Sequence, residues 1–229
     1  MNGTDLENIV FIGRTMEEYK AFFQLEEKDL QGRRILDCPA GACSFTAEAA
    51  ADVTAVDLAY RFPAGVLYEK GSQDIDRAAA LIQGASNQYV WNYIKDASEL
   101  KQRRERALRL FTEDYERRAE RYVQARLPEL PFEDDAFDLV LSAHFLFTYA
   151  DRLDYCFHEQ AVREMLRVTS SELRMFPLLD YKGRRSRYVD DVKQFAEREG
   201  WLAEEIPVSY EFQKGANVLL RIRKREDTC

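Results

Sequence analysis

The chain has 229 residues, 46% of them hydrophobic and 32% charged, a length and balance that suit one α/β domain with a sizeable core and exclude a disordered composition. Its formal net charge of −8 argues against broad electrostatic capture of nucleic acid or of an anionic membrane, while leaving room for a local basic patch.

In chain order, residues 15–31 read as one amphipathic helix. Thr15 caps it, Glu18 completes a capping box, Tyr19, Phe22, Phe23 and Leu30 share a face, and Gly32 ends it. RRILDC (33–38) is a short strand, a loop of small residues follows, FTAEAAA (45–51) is a helix, and VTAVDL (53–58) is the next strand. Strand, loop, helix, strand is a βαβ unit, which brings parallel neighbours and a right-handed crossover. Residues 65–120 are helical and charge-rich and hold no convincing strand. They exceed an ordinary connection and read as a helical insertion, at about 62–120, within a single domain spanning 1–229. Strands then recur at 121–127, 137–145 and 171–179, with helices near 157–168 and 189–200. The chain closes with two strands, 206–212 and 216–224, joined by a three-residue loop with Gly215 at its left-handed position.

The four cysteines, Cys38, Cys43, Cys156 and Cys229, are irregularly spaced, and His144 and His158 stand beside no ligand cluster. Neither a disulfide framework nor a metal site is expected. With reduced thiols, no basic-then-apolar leader and no apolar run near the roughly 20 residues that span a bilayer, the expected location is cytoplasmic.

Between Asp37 and Phe45 the loop after the first strand carries only small residues, with Gly41 free to adopt dihedrals closed to other residues. Such a loop lets a ligand approach the backbone, and in open α/β sheets ligands bind at the carboxyl ends of the strands. Asp57 ends the second strand, where a carboxylate accepts hydrogen bonds from both ribose hydroxyls of an adenosine group. Taken alone, the loop also reads as a tightly packed helix start.

In this loop and acid, in LPFEDDAFDLV (130–140) leading into the fourth strand, and in the closing hairpin, the chain resembles the class I S-adenosylmethionine-dependent methyltransferases. The resemblance covers roughly residues 33–60 and 121–224. It departs from the family where Pro39 and Cys43 replace two of three loop glycines, and where Ala125 and Arg126 stand in place of an acid near the adenine. It implies a Rossmann-like three-layer α/β sandwich on a mostly parallel seven-stranded sheet, whose seventh strand runs antiparallel between the fifth and sixth. It also implies S-adenosylmethionine as the methyl donor, contacted by Asp37, Pro39, Ala40 and Gly41 of the loop and by Asp57 and Leu58. Arg126 and Leu127 lie on the adenine side, and Ser142 at the end of the fourth strand. From the N-terminal helix, Arg14 and Tyr19 either reach the methionine carboxylate or belong to a helix docked through its aromatics.

Methyl transfer needs positioning more than acid–base chemistry. His144 is the candidate general base, the alternative being a histidine bonded to backbone at the strand's end. Asp138 reads as structural and His158 as surface or capping. Tyr89, Trp91 and Tyr93 form either an acceptor wall or part of the core. Lys182, Arg184, Arg185 and Arg187 are either a phosphate or carboxylate site or solvated charge. Residues 101–122, with eight basic and five acidic side chains, read as a salt-bridged helix roofing the acceptor site. The acceptor is expected to be a small molecule, the alternatives being RNA or protein, or a non-catalytic nucleoside-binding module.

Overall fold

The computed structural model describes residues 10–84 and 86–225. A seven-stranded sheet is built from β1 (Arg34–Asp37), β2 (Asp52–Val56), β3 (Tyr122–Val123), β4 (Phe137–Ala143), β5 (Thr169–Phe176), β6 (Trp201–Pro207) and β7 (Val218–Lys224). Its order is β3-β2-β1-β4-β5-β7-β6. The first five strands pair in parallel, and β7 pairs antiparallel with both β5 and β6. This is the expected fold class, seventh strand included.

Both faces of the sheet are covered, as a parallel sheet requires. Successive residues therefore enter different cores: on β1, Leu36 packs with α6 (Tyr155–Arg167) and α7 (Val189–Arg198), while Ile35 packs with α1 (Met16–Phe23). Between β2 and β3 lie α4 (Ala64–Gly84) and α5 (Ala97–Arg117), which form a third cluster with the N-terminal Phe11. Among the described residues no helix is long and apolar enough to cross a membrane.

Three expectations need correction. The helix over 15–31 is two, α1 and α2 (Glu27–Leu30), because Gln24 turns left-handed at φ 51°. There the Arg174 guanidinium takes the carbonyls of Phe23 (2.8 Å) and Gln24 (3.3 Å), so the chain ends its helix on a side chain. The strand over 121–127 is only two residues long, an edge strand held by Ala55 and Val56. The closing hairpin is longer in its loop: β6 begins directly after Gly200 (φ 87°) and pairs Trp201–Pro207 with β7. Residues 208–217 leave the sheet, and their backbone bonds to 88–90 instead, with Val90 N–H on the Phe212 carbonyl (2.7 Å) and Lys214 N–H on that of Gln88 (3.0 Å).

Candidate active site

β1 is the switch point of the sheet, since the chain runs outward from it to β2 on one side and β4 on the other. At the carboxyl ends of these strands opens a cavity of about 590 Å³, within the range of small-molecule sites. Its walls come from residues 10–14, the loops after β1, β2, β3 and β4, and a roof from α4, α5 and the 210–216 stretch.

In the loop after β1, the Gly41 amide (φ 56°) donates to Oδ2 of Asp57 at 3.0 Å, and the Ala59 amide donates to Oδ1 at 2.8 Å. A Cβ added at Gly41 would meet only that Oδ2, at 4.0 Å, and would otherwise stand in open space. Burial pushes the Asp57 pKa up and the two amides hold it down. The N-terminal segment lies against this loop so closely that a Cβ on Gly13 would sit 1.8 Å from the Ala42 carbonyl oxygen. Arg14 follows; its amide reaches the Cys43 Sγ (3.2 Å) and its carbonyl accepts from Ser44 (3.0 Å). The Arg14 guanidinium donates to the carbonyls of Ile12 (3.3 Å) and Gly13 (3.4 Å), and among the described residues no carboxylate pairs with it. Burial, then neighbouring Arg104, lowers its pKa.

Of the residues expected at the site, Arg14, Pro39, Ala40, Gly41, Asp57, Leu58, Arg126, Leu127 and His144 line the cavity. Asp37, Tyr19 and Ser142 do not. The Tyr19 hydroxyl donates to both Asp37 oxygens (3.0 and 3.1 Å) beneath the loop, and its ring stacks on Phe45 at 4.8 Å. Both residues are fully buried and neither lines the cavity, so Tyr19 docks the helix through its hydroxyl and ring. Ser142 is buried within β4, its Oγ unpartnered.

His144, at φ 54°, packs edge-on against Phe22 (5.5 Å) and Phe176 (5.6 Å). Its amide donates to the Phe176 carbonyl (2.6 Å). Ring Nδ1 is enclosed without a partner, and Nε2 is left as the nitrogen available to the cavity. Burial first, then Arg14 and Arg104, holds the His144 pKa well below 6.5. That lowering disfavours the protonated form a general base must reach.

The roof carries what sequence reasoning missed. Ile75, Ala78, Ala79 and Ile82 line the cavity at helical spacing along α4, a spacing that marks a helix face in the chain without saying what the face meets. From α5, Arg104 sends both terminal nitrogens to the buried carboxylate of Glu18 (2.5 and 2.9 Å), which also accepts from the Tyr210 hydroxyl (3.0 Å). Burial would raise the Glu18 pKa, but Arg104 outweighs it and the value falls to about 2. Residues 101–122 are salt-bridged as expected, for example Arg103 to Glu99 and Arg106 to Glu17. Tyr89 lines the cavity and stacks on Phe212 (4.8 Å), whereas Trp91 and Tyr93 pack on Phe212 and Tyr210.

In the basic loop Lys182 lies over the Tyr181 ring, and each arginine has a partner in the protein. Arg184 pairs with Asp180, Arg185 with Glu205 and Asp190, and Arg187 reaches the Ala150 carbonyl. His158 is not at the surface: it is fully buried, bridging the carbonyls of Asp154 (2.8 Å) and Leu146 (3.0 Å). Asp138 is structural, bound to Arg34 and Ser170. Cys38 and Cys43 are buried free thiols, Cys156 is exposed, and Cys229 lies outside the described residues. Among the described residues no cluster of three or more His, Cys, Asp or Glu is placed to hold a metal ion.

A sheet of this order, with a bent small-residue loop over an acid at its switch point, defines a Rossmann-like methyltransferase fold. A family model described as a methyltransferase domain matches residues 102–173. The chain is 35% identical over 229 residues to the uncharacterized protein MJ0045 of Methanocaldococcus jannaschii, covering 98% of this chain and 100% of that one. It is similar in fold to the N-methyltransferase NodS of Bradyrhizobium japonicum, with a TM-score of 0.52, 16% identity, and coverage of 99% and 100%. A crystal structure of magnesium protoporphyrin IX methyltransferase from Synechocystis with bound SAM aligns at a TM-score of 0.46 and 13% identity, covering 87% of this chain and 73% of that one. Over residues 102–173 the chain matches a methyltransferase domain, and its fold is that of the class I S-adenosylmethionine-dependent methyltransferases.

Proposed function

We propose that the enzyme methylates a small molecule held between the carboxyl edge of the sheet and the α4–α5 roof. The observation that carries this reading is the cavity itself. Asp57, Leu127, Tyr89 and Phe212 all line it, and Arg104 of its lining is pinned by Glu18. A covered chamber of about 590 Å³ suits a small acceptor beside the donor. A nucleic-acid acceptor would want free basic side chains, and those of 184–187 are spent on Asp180, Glu205, Asp190 and a backbone carbonyl.

The residues present suit the donor. The spare lone pairs of the Asp57 carboxylate are available to ribose hydroxyls, and the open space over Gly41 admits a ligand against backbone. Arg14, a cation without a carboxylate partner, would hold the methionine carboxylate. Leu58 and Leu127 would flank the adenine, with Arg126, exposed at the rim, against its face. When bound, S-adenosylmethionine supplies a methyl group already activated on a sulfonium sulfur. The protein's share is alignment and exclusion of water, which is worth about 7–11 kcal/mol. His144 would meet the acceptor through Nε2.

Calorimetry with S-adenosylhomocysteine, followed by transfer of labelled methyl groups over a panel of small-molecule acceptors, tests the proposal. Micromolar binding and turnover on a member of the panel support it. Labelling of copurified RNA or protein in preference to every small molecule would reverse the assignment of the acceptor.

A further inference from the structure

We infer that the acceptor is an aromatic acid, methylated on an oxygen that is already ionised near neutral pH. The inference rests on the small-molecule reading above and narrows it. The first observation is the charge around the cavity. Asp57 is the one carboxylate among its lining residues, and amides occupy both of its oxygens at the cofactor loop. Of the cations lining the cavity, Lys101 is held by Asp76 (2.7 Å) and Arg104 by Glu18, and Arg14 is the one that would hold the donor's own carboxylate, so no free carboxylate of the lining is left for a cationic acceptor. A bound sulfonium adds one more positive charge. A cationic amine would enter this space with nothing to neutralise it, whereas an anion is drawn in.

The second observation is His144. An imidazolium must donate from both ring nitrogens, and Nδ1 is enclosed against Phe22 and Phe176 with no acceptor. The charged groups facing the ring are Arg14 from the N-terminal segment and Arg104 from α5, and the nearby carboxylate of Glu18 is consumed by Arg104. His144 therefore stays neutral and offers one hydrogen bond from Nε2, but no lasting place for a proton. An acceptor that must shed a proton finds no base here, and an oxygen that has already lost one needs none.

The third observation is the wall. Tyr89, Phe145, Tyr149, Tyr181 and Phe212 line the cavity, as do small Ala78 and Ala79 of α4, and Tyr181 is 49% exposed. This lining takes a flat, apolar frame.

The transfer balances without a general base. The ionised oxygen donates a pair to the methyl carbon, the O–CH₃ bond forms as the C–S⁺ bond breaks, and the C–S pair stays on sulfur. One negative and one positive charge cancel, leaving a neutral methylated oxygen, a neutral thioether and no proton to place.

The test is calorimetric binding of four probes to protein saturated with S-adenosylhomocysteine at pH 8, after the affinity for S-adenosylhomocysteine itself is measured. The probes are 2-naphthoate, 4-nitrophenolate, 2-naphthalenemethanol and 2-naphthylmethylammonium. At least one of the two anions is expected to bind about tenfold or more tighter than the alcohol and the ammonium, a difference typical of a charged hydrogen bond. The better of the two separates carboxylate from phenolate. His144→Ala is expected to weaken the anion by about tenfold and His144→Gln, which keeps a donor, by less than threefold, with S-adenosylhomocysteine affinity within twofold in both. Ammonium or alcohol binding as tightly as either anion, no probe binding to loaded protein, or His144→Gln failing as badly as His144→Ala would each overturn the inference. Failure to bind S-adenosylhomocysteine would instead remove the cofactor-site reading beneath it.

Discussion

Gly41 and Asp57 are joined by a 3.0 Å hydrogen bond from the amide of the one to the carboxylate of the other, across sixteen positions of sequence. That bond sets the bend of the loop after β1 and presents the carboxylate to the cavity at once. Scaffold and binding group are one residue here, and the Ala59 amide on the second oxygen (2.8 Å) keeps it from swinging away.

Arg14 is the cation without an ion pair beside that loop. Arg14→Met is expected to lower S-adenosylhomocysteine affinity by about 10–100-fold, the worth of a charge-assisted hydrogen bond. Affinity for 5′-methylthioadenosine, which has no carboxylate, should stay within twofold. Equal losses for both ligands in calorimetry would place Arg14 away from the methionine end.

Gly13 sets how near the N-terminal segment lies to the loop. Gly13→Ala puts a methyl group 1.8 Å from the Ala42 carbonyl oxygen, and backbone on both sides must move. Its melting temperature and its S-adenosylhomocysteine affinity are both expected to drop. Gly65→Ala, in α4 with nothing within 4 Å of its Cβ, should be neutral or stabilise by up to about 1 kcal/mol. A silent Gly13→Ala would mean that the segment does not hold this position.

The Glu18–Arg104 pair ties α1 to the roof. Glu18→Gln strands a buried guanidinium and should cost about 3–5 kcal/mol in urea denaturation. The pair also imposes a pH dependence. Glu18 titrates near its ordinary 4.5 when unfolded and at about 2 when folded. Its contribution is complete above about pH 4.5 and is lost as pH falls toward 2. The stability gap between wild type and Glu18→Gln should narrow across that window. A gap that holds constant would show the carboxylate to be unpaired.

Tyr19→Phe removes the donor to both oxygens of Asp37. Burial pushes the Asp37 pKa up, the Tyr19 hydroxyl holds it down, and the like charge of Asp57 adds to the rise. Loss of the hydroxyl is expected to destabilise the fold by about 1–3 kcal/mol. The S-adenosylhomocysteine affinity should stay within twofold, because both residues are sealed from the cavity. A tenfold loss of affinity at unchanged stability would return Tyr19 to the cofactor.

What could be read in the chain was what repeats or spaces itself locally. The small-residue loop at 38–44 and Asp57 at the end of β2 each follow from neighbours in sequence, and the structure brings them together at one cavity. The roof of the cavity was closed to such reading because it is assembled from distant pieces. Arg104 meets Glu18 across 86 positions and Tyr210 meets Glu18 across 192, and no local pattern announces either. The C-terminal strands were displaced for a related reason. Tyr210 and Phe212 alternate as a strand would, yet they pack on Tyr93 and Tyr89 of the insertion, a partner that could not be seen from the hairpin alone. His144 was correctly drawn to the cavity, but its protonation depends on Phe22, Phe176 and two arginines that only the fold supplies.

The most direct test of the account is a calorimetric titration of S-adenosylhomocysteine into wild type and Asp57→Ala. Micromolar binding to the wild type, weakened at least tenfold in the variant while its fold persists by circular dichroism, is expected. No binding to the wild type, or equal binding to both proteins, would contradict the claim that Gly41 and Asp57 form the adenosyl seat.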